Sequence, residues 1–206
     1  GLFKIKSLLD KFKDPDCLSV NGVGFYEKGS TKDIIQSSYK RKFWEYKKSY
    51  LSNIFLSKLD KEVIIKEFFS FNNLLPLNMQ PHIFSKEISM SVEGGLFKPP
   101  SPDSYALYSM LNKDKKWAIS DEKVFAIGLS KKSFGHYWHN QKIDAGIKFL
   151  GSSLDGDFLP GSKLNDYLYT VLKNLKKNQK SFNKYKIQRS PYVVRQFFVS
   201  FESSLL

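Results

Sequence analysis

The chain opens on a helical pattern. In "LFKIKSLLDKFKD" the residues Leu2, Ile5, Leu8, Leu9 and Phe12 recur at the spacing that puts them on one side of a helix, with Lys4, Lys6, Lys11 and Lys13 on its flanks. Asp14-Pro15 ends it, because proline lacks a donor and restricts the residue before it. From 18 to 31, "LSVNGVGFYEKGST" sets Gly22, Gly24 and Gly29 among apolar residues, which predicts a short strand with turns. Residues 32–70 hold two helical stretches, the clearer over about 57–70, where Leu59, Val63, Ile64 and Phe68 share a face. "NNLLPLNMQP", with Pro76 and Pro81, is a connector.

Beyond the connector the period changes to two. "FSKEISMSVEGG" alternates Ile88, Met90 and Val92 with Ser and Glu, the signature of a half-buried strand ending at Gly94-Gly95. After the breaker "KPPSP", the runs "SYALYSML" and "WAISDEKVFAIGL" flank the polar turn "NKDKK" and predict a β-hairpin over 104–128. "IKFLGSS" reads as one more strand. Residues 163–178 carry Leu164, Tyr167, Leu168, Val171, Leu172 and Leu175 at i, i+3, i+4 spacing, an amphipathic helix with Ser162 placed to cap it. In "YVVRQFFVSF" the alternation of Phe197, Val199 and Phe201 predicts a C-terminal strand over 192–201. No internal repeat or low-complexity tract interrupts this order. The pattern therefore predicts a single α+β domain over 15–206, with an antiparallel or mixed sheet packed by helices, preceded by a basic amphipathic arm at 1–14.

Charge changes the picture more than length does. The 206 residues suffice for one domain with a real core, and that core must use large side chains, since aromatics make up 16% of the chain and alanines number four. The formal net charge is +13, which points to a polyanionic partner. Eleven of those thirteen excess charges fall in two stretches, "YKRKFWEYKKSY" at 39–50 and "KNLKKNQKSFNKYKIQR" at 173–189. The first offers Lys40, Arg41, Lys42, Lys47 and Lys48 for phosphate, and Trp44 beside Phe43, Tyr46 and Tyr50 for bases. The second offers Lys173, Lys176, Lys177, Lys180, Lys184, Lys186 and Arg189, interleaved with Phe182 and Tyr185. Cations that release counterions, next to rings that stack on bases, suit RNA or single strands better than duplex DNA.

The candidate chemistry is thinner. A metal-dependent nuclease of the PD…(D/E)xK type needs a carboxylate on one strand of a hairpin, and a second carboxylate with a lysine on the other. The acids hold Mg²⁺ or Mn²⁺ and the lysine steadies the attacking water. Asp103, Asp121 and Lys123 spell that pattern, and strand alternation would put Asp121 and Lys123 on one face, with His82 and Glu93 as further ligands. Glu122 counts against it, because the position between them is normally apolar. "GFYEKGST" has the outline of a phosphate loop but carries Ser30 where the lysine belongs, so it reads as a turn. His136 and His139 in "HYWH" share a helical face, but zinc would need Asp144 or Asp155 to complete its shell, and ring packing is the simpler reading. Asp155 and Asp157 make a turn. Cys17, the only cysteine, allows no internal disulfide and implies no disulfide-linked partner.

These readings combine into one expectation: a basic protein with a structural or assembly role that binds nucleic acid, RNA above all, by phosphate neutralisation and stacking. No cofactor follows from it, and no catalytic set beyond the nuclease alternative, the only one that would use Mg²⁺ or Mn²⁺. A third class, a peripheral or viral matrix-like protein, would lay residues 1–13 on anionic lipid. No signal peptide or apolar run of about 18 residues is visible, which with the lone cysteine suggests a reducing, intracellular or virion-associated setting.

Overall fold

The computed structural model describes residues 1–29, 38–40, 54–77, 79–130, 133–139, 142–154, 156 and 158–204. Its sheet is built on β1 (Cys17–Tyr26), which pairs in parallel with β5 (Trp117–Leu129) along one edge. On its other edge β1 is met antiparallel by β4 (His82–Phe84) and then by β2 (Ser38–Lys40). β3 (Ile54–Leu56) adds to the far side of β5, giving the order β2-β1-β5-β3. The first six residues of β1 are all buried, as a strand covered on both faces must be.

Alternation sorts the side chains of the sheet. Leu18 and Val20 of β1, with Ala118 and Val124 of β5, face α1 (Leu2–Phe12), which sinks Leu8 and Phe12 among them. Lys116 fastens the end of α1 by donating from Nζ to the carbonyls of Phe12 and Lys13, both at 2.6 Å. Cys17, Trp117 and Ile119 face the other way, into the larger core. That core is filled by α2 (Lys58–Phe69), α4 (Pro102–Leu111) and α7 (Lys163–Asn178), with smaller contributions from α3 (Lys86–Met90) and α6 (Ile143–Phe149). Phe68 stacks on Tyr108 there, and Phe69 packs on both Phe182 and Tyr185. Two more helices, α5 (Phe134–His139) and α8 (Arg189–Ser204), complete the described chain, with a 3-10 turn at Lys180–Phe182. The α+β class expected from the pattern is the class observed.

Gly22 marks where the two central strands slip. Ser19 pairs with Ile119, Asn21 with Lys123 and Gly22 with Phe125, so β5 bulges beside it. A Cβ on Gly22 would sit 2.6 Å from the Phe125 carbonyl oxygen, so the strands can approach there only without a side chain.

Two helices match their expected spans closely, α2 and α7. Ser57 and Asp60 close a capping box on α2, the hydroxyl accepting from Asp60 N–H at 3.1 Å while the carboxylate accepts from Ser57 N–H at 2.8 Å. Ser162 stands at the N-cap of α7, but its side chain makes no capping bond; its N–H donates instead to Gln196 Oε1 at 2.7 Å.

Four strand expectations are overturned. The hairpin over 104–128 does not form: its first half is α4, and only its second half, β5, is a strand. Every residue of α4 from Ser104 to Leu111 is buried, so no polar stripe betrays the helical period, while Pro102 at the helix start is suited to the first turn. The strand at 192–201 is part of α8, which buries Tyr192 and Gln196, one turn apart, and leaves Val193, Val194, Phe197 and Phe198 exposed. Burial there follows hydrogen bonding rather than hydrophobicity: Tyr192 Oη and Gln196 Nε2 donate to the buried Asp166 carboxylate at 2.7 and 2.6 Å. Gly161 makes the close approach possible, at φ +140° with its Cα pressed toward the Gln196 carbonyl. "FSKEISMSVEGG" contains the short helix α3, capped by Ser85, and Met90 is exposed rather than inward. "IKFLGSS" begins inside α6, where Ile147 is buried while Phe149 and Leu150 are not.

Candidate nucleic-acid interface

α7 is amphipathic, and its two sides do different things. Leu168, Val171, Leu172 and Leu175 are buried in the core, which turns Lys173 and Lys177, one turn apart, to the surface. Lys180, on the turn that follows, is exposed as well. Lys173 Nζ lies 5.9 Å from the centre of the Tyr169 ring. Among the described residues none of these three ammonium groups has a carboxylate within salt-bridge distance. Beside Lys173 and Lys177 opens a groove of about 450 Å³, walled by Pro99 and Pro100 on one side and by residues 151–153 on the other.

Other lysines of the same stretch are committed elsewhere. Lys176 folds back to donate to the carbonyls of Phe182, Asn183 and Tyr185, at 3.4, 3.2 and 2.5 Å, and so closes the turn after α7. Lys184 pairs with Glu62 of α2 at 2.9 Å and covers the Tyr185 ring at 5.0 Å. That contact raises the Lys184 pKa and lowers that of Glu62, each favouring its charged form. Lys186 and Arg189 are exposed. Phe182 and Tyr185 are core residues, so the rings of this stretch hold α7 to α2 and do not stack on bases.

Because Lys176 acts on its own backbone, we expect Lys176→Ala to destabilise the fold by about 2 kcal/mol, the scale of carbonyls losing charge-assisted hydrogen bonds. Thermal unfolding would reveal it. A midpoint unchanged from wild type would place that ammonium in solvent.

The first basic stretch is largely beyond description: Arg41, Lys42, Trp44, Lys47 and Lys48 lie outside the described residues, and Lys40 is placed only as the last residue of β2.

The nuclease pattern is not assembled by a hairpin. Asp103 sits in the first turn of α4, where its carboxylate accepts from Met79 N–H at 3.2 Å and burial pushes its pKa up. Asp121 is on β5 and accepts from Asn21 Nδ2 at 2.7 Å. β5 bulges between Ile119 and Phe125, the stretch that holds Asp121 and Lys123; Lys123 and Glu122 are exposed, as is Glu93. Among the described residues no three His, Cys, Asp or Glu side chains gather as a metal site.

His82 is buried. Its Nδ1 meets the Ser19 hydroxyl at 2.8 Å, its Nε2 lies 3.3 Å from the Pro76 carbonyl, and the Trp117 indole donates to the same Ser19 oxygen at 2.8 Å. The only carbonyl partner of Nε2 needs a proton there, so Nδ1 accepts and Ser19 donates. This Ser–His contact ties β1, β4 and β5 together in the interior. Burial holds His82 neutral, with its pKa lowered to about 4. Cys17 is likewise buried, its thiol pKa pushed well up by desolvation and then by Asp16, so it makes no nucleophile.

The phosphate-loop outline does not form a loop at its start. Gly24, Phe25 and Tyr26 are strand residues paired with β2 and β5, while Ser30 and Thr31 lie outside the described residues. His136 meets Tyr137 edge to face at 5.6 Å, and the His139 side chain, Asp155 and Asp157 lie outside the described residues. The three lysines of α1 and Lys13 just after it are exposed, as are Leu2 and Phe3, and among the described residues no helix is long and apolar enough to cross a membrane.

The groove itself was not foreseen from sequence. "KPPSP" reads only as a breaker and residues 151–153 as the end of a strand, and nothing in a linear pattern says they flank α7. No protein-family model, curated protein or solved structure matches the chain.

Proposed function

We propose that this chain binds nucleic acid, RNA or another single strand, with the basic side of α7 as a principal contact. The observation that carries the reading is the group of three exposed lysines, Lys173, Lys177 and Lys180, without a carboxylate partner among the described residues, the first two of them lining an open groove. A field of one sign at a concave surface attracts phosphate, and binding releases counterions. Charge rather than stacking is what α7 brings, since Phe182 and Tyr185 are internal. Sequence preference along this surface is weak, as expected when phosphates and not base edges are read.

The test is the salt dependence of binding to a single-stranded oligonucleotide. Each phosphate contact in a single strand contributes about 0.7 to the slope of log affinity against log salt, so replacing Lys173, Lys177 and Lys180 with Gln should flatten the slope by about 2. Lys184→Gln, which removes a lysine already paired with Glu62, should change it little. A triple variant with the wild-type slope would remove α7 from the interface.

A further inference from the structure

The groove beside α7 presents more than positive charge. Thr170, buried in its wall, spends its hydroxyl proton on the Asp166 carbonyl at 2.8 Å, so Oγ1 is left only to accept. Asn174 spends an amide proton on the Pro99 carbonyl at 2.8 Å, which fixes the side chain and leaves Oδ1 as an acceptor. The Ser152 hydroxyl oxygen is shielded from solvent and has no hydrogen-bond partner among the described residues. The lining thus holds two cations at its rim, Lys173 and Lys177, with fixed acceptors and a free hydroxyl between its walls. A phosphodiester group alone answers the cations but offers an acceptor nothing to accept. A ligand that satisfies both carries a phosphate and hydroxyl donors on one small body. At about 450 Å³ the space is in the range of small-molecule sites rather than of single ions.

We infer that this groove seats one ribonucleotide unit of a bound strand, with its phosphate at Lys173 and Lys177 and its ribose 2′-hydroxyl donating to Thr170. The inference rests on the nucleic-acid reading and sharpens it, because the 2′-hydroxyl is what separates RNA from DNA. The groove then selects ribose over deoxyribose at one position, while Lys180, on the turn after α7, grips phosphate of either kind of strand.

The experiment titrates ¹⁵N-labelled full-length chain with cytidine monophosphate, its 2′-deoxy form, cytidine and inorganic phosphate, following amide signals of 151–153 and 170–177. Cytidine monophosphate should shift those signals and bind about tenfold more tightly than the deoxy form, the worth of one added hydrogen bond. Thr170→Val should erase that difference, and Lys173→Gln with Lys177→Gln should weaken both nucleotides. Equal affinity of the ribo and deoxy forms in the wild type, a comparison that needs no variant, would overturn the inference. So would inorganic phosphate binding as tightly as the nucleotide, cytidine binding as well as its phosphate, or shifts elsewhere on the chain. If no mononucleotide binds while an RNA oligomer still binds with the salt slope described above, the groove assignment fails and the broader reading stands. If the monophosphate binds with ribose selectivity but no oligomer binds, the broader reading fails and the groove stands.

Discussion

Trp117→Ala should lower the unfolding free energy by about 4 kcal/mol, the usual cost of emptying a fully buried tryptophan site. Trp117 is 1% exposed and stands where β5 begins, paired on one side with Cys17 of β1 and on the other with Leu56 of β3. Its ring packs at an edge to His82, 6.1 Å between centres, and its indole N–H supplies the bond to Ser19 at 2.8 Å. Alanine removes the ring and that donor together. Trp117→Phe separates the two, since it keeps most of the apolar area but leaves the Ser19 oxygen without its indole partner; about 2 kcal/mol is expected from that variant. Urea unfolding followed by far-ultraviolet circular dichroism is the right measurement, because fluorescence would change with the tryptophan itself. A loss below about 1.5 kcal/mol for Trp117→Ala would show that this end of the sheet is not closely packed.

Acidification should unfold the protein through His82. In the folded state its pKa is lowered to about 4 by burial, against 6.5 for the free side chain. Between those two values the unfolded chain takes up a proton that the folded chain refuses, so stability falls as pH falls through that window and is unaffected by this group above it. The gap is worth about 3 kcal/mol at about 1.4 kcal/mol per pH unit, fully lost by pH 4. Among the described residues no titrating partner offsets it: the ring meets Ser19, Trp117 and the Pro76 carbonyl. Asp103 and Asp166 act in the opposite sense, since burial raises their pKa and favours the folded state while they stay protonated. Comparing His82→Gln with wild type from pH 7.5 to 4 isolates the histidine. The variant should lose its share of the slope across that range, and parallel curves would mean that His82 is protonated in the folded protein.

What could be read along the chain depended on whether burial leaves a stripe. α7 and α1 are half exposed, so their apolar residues recur at helical spacing and their spans are legible. α4 is buried from Ser104 to Leu111, and a helix hidden on every side has no period to detect; its two tyrosines among apolar residues then suggest a strand. α8 misleads for the converse reason. Its inward residues are Tyr192 and Gln196, chosen by hydrogen bonds to Asp166, and no hydropathy pattern marks a glutamine as buried. Of the candidate surface, the concentration of lysine in 173–189 was visible, but not its division of labour. Lys176 and Lys173 look alike in sequence; only the fold of the turn after α7 tells which one is spent on carbonyls.

That division extends beyond α7. Lys61 is buried and donates to the carbonyls of Lys113 and Lys115 between α4 and β5, and Lys116 does the same at the end of α1. These amines work as internal staples, not as part of a coat. Wholesale acylation of the protein would therefore pull out its fastenings along with its charge, and a loss of binding after such treatment would report collapse as readily as contact. Mapping by single-site chemistry, read through the reactivity of each amine, is the route that keeps the two apart.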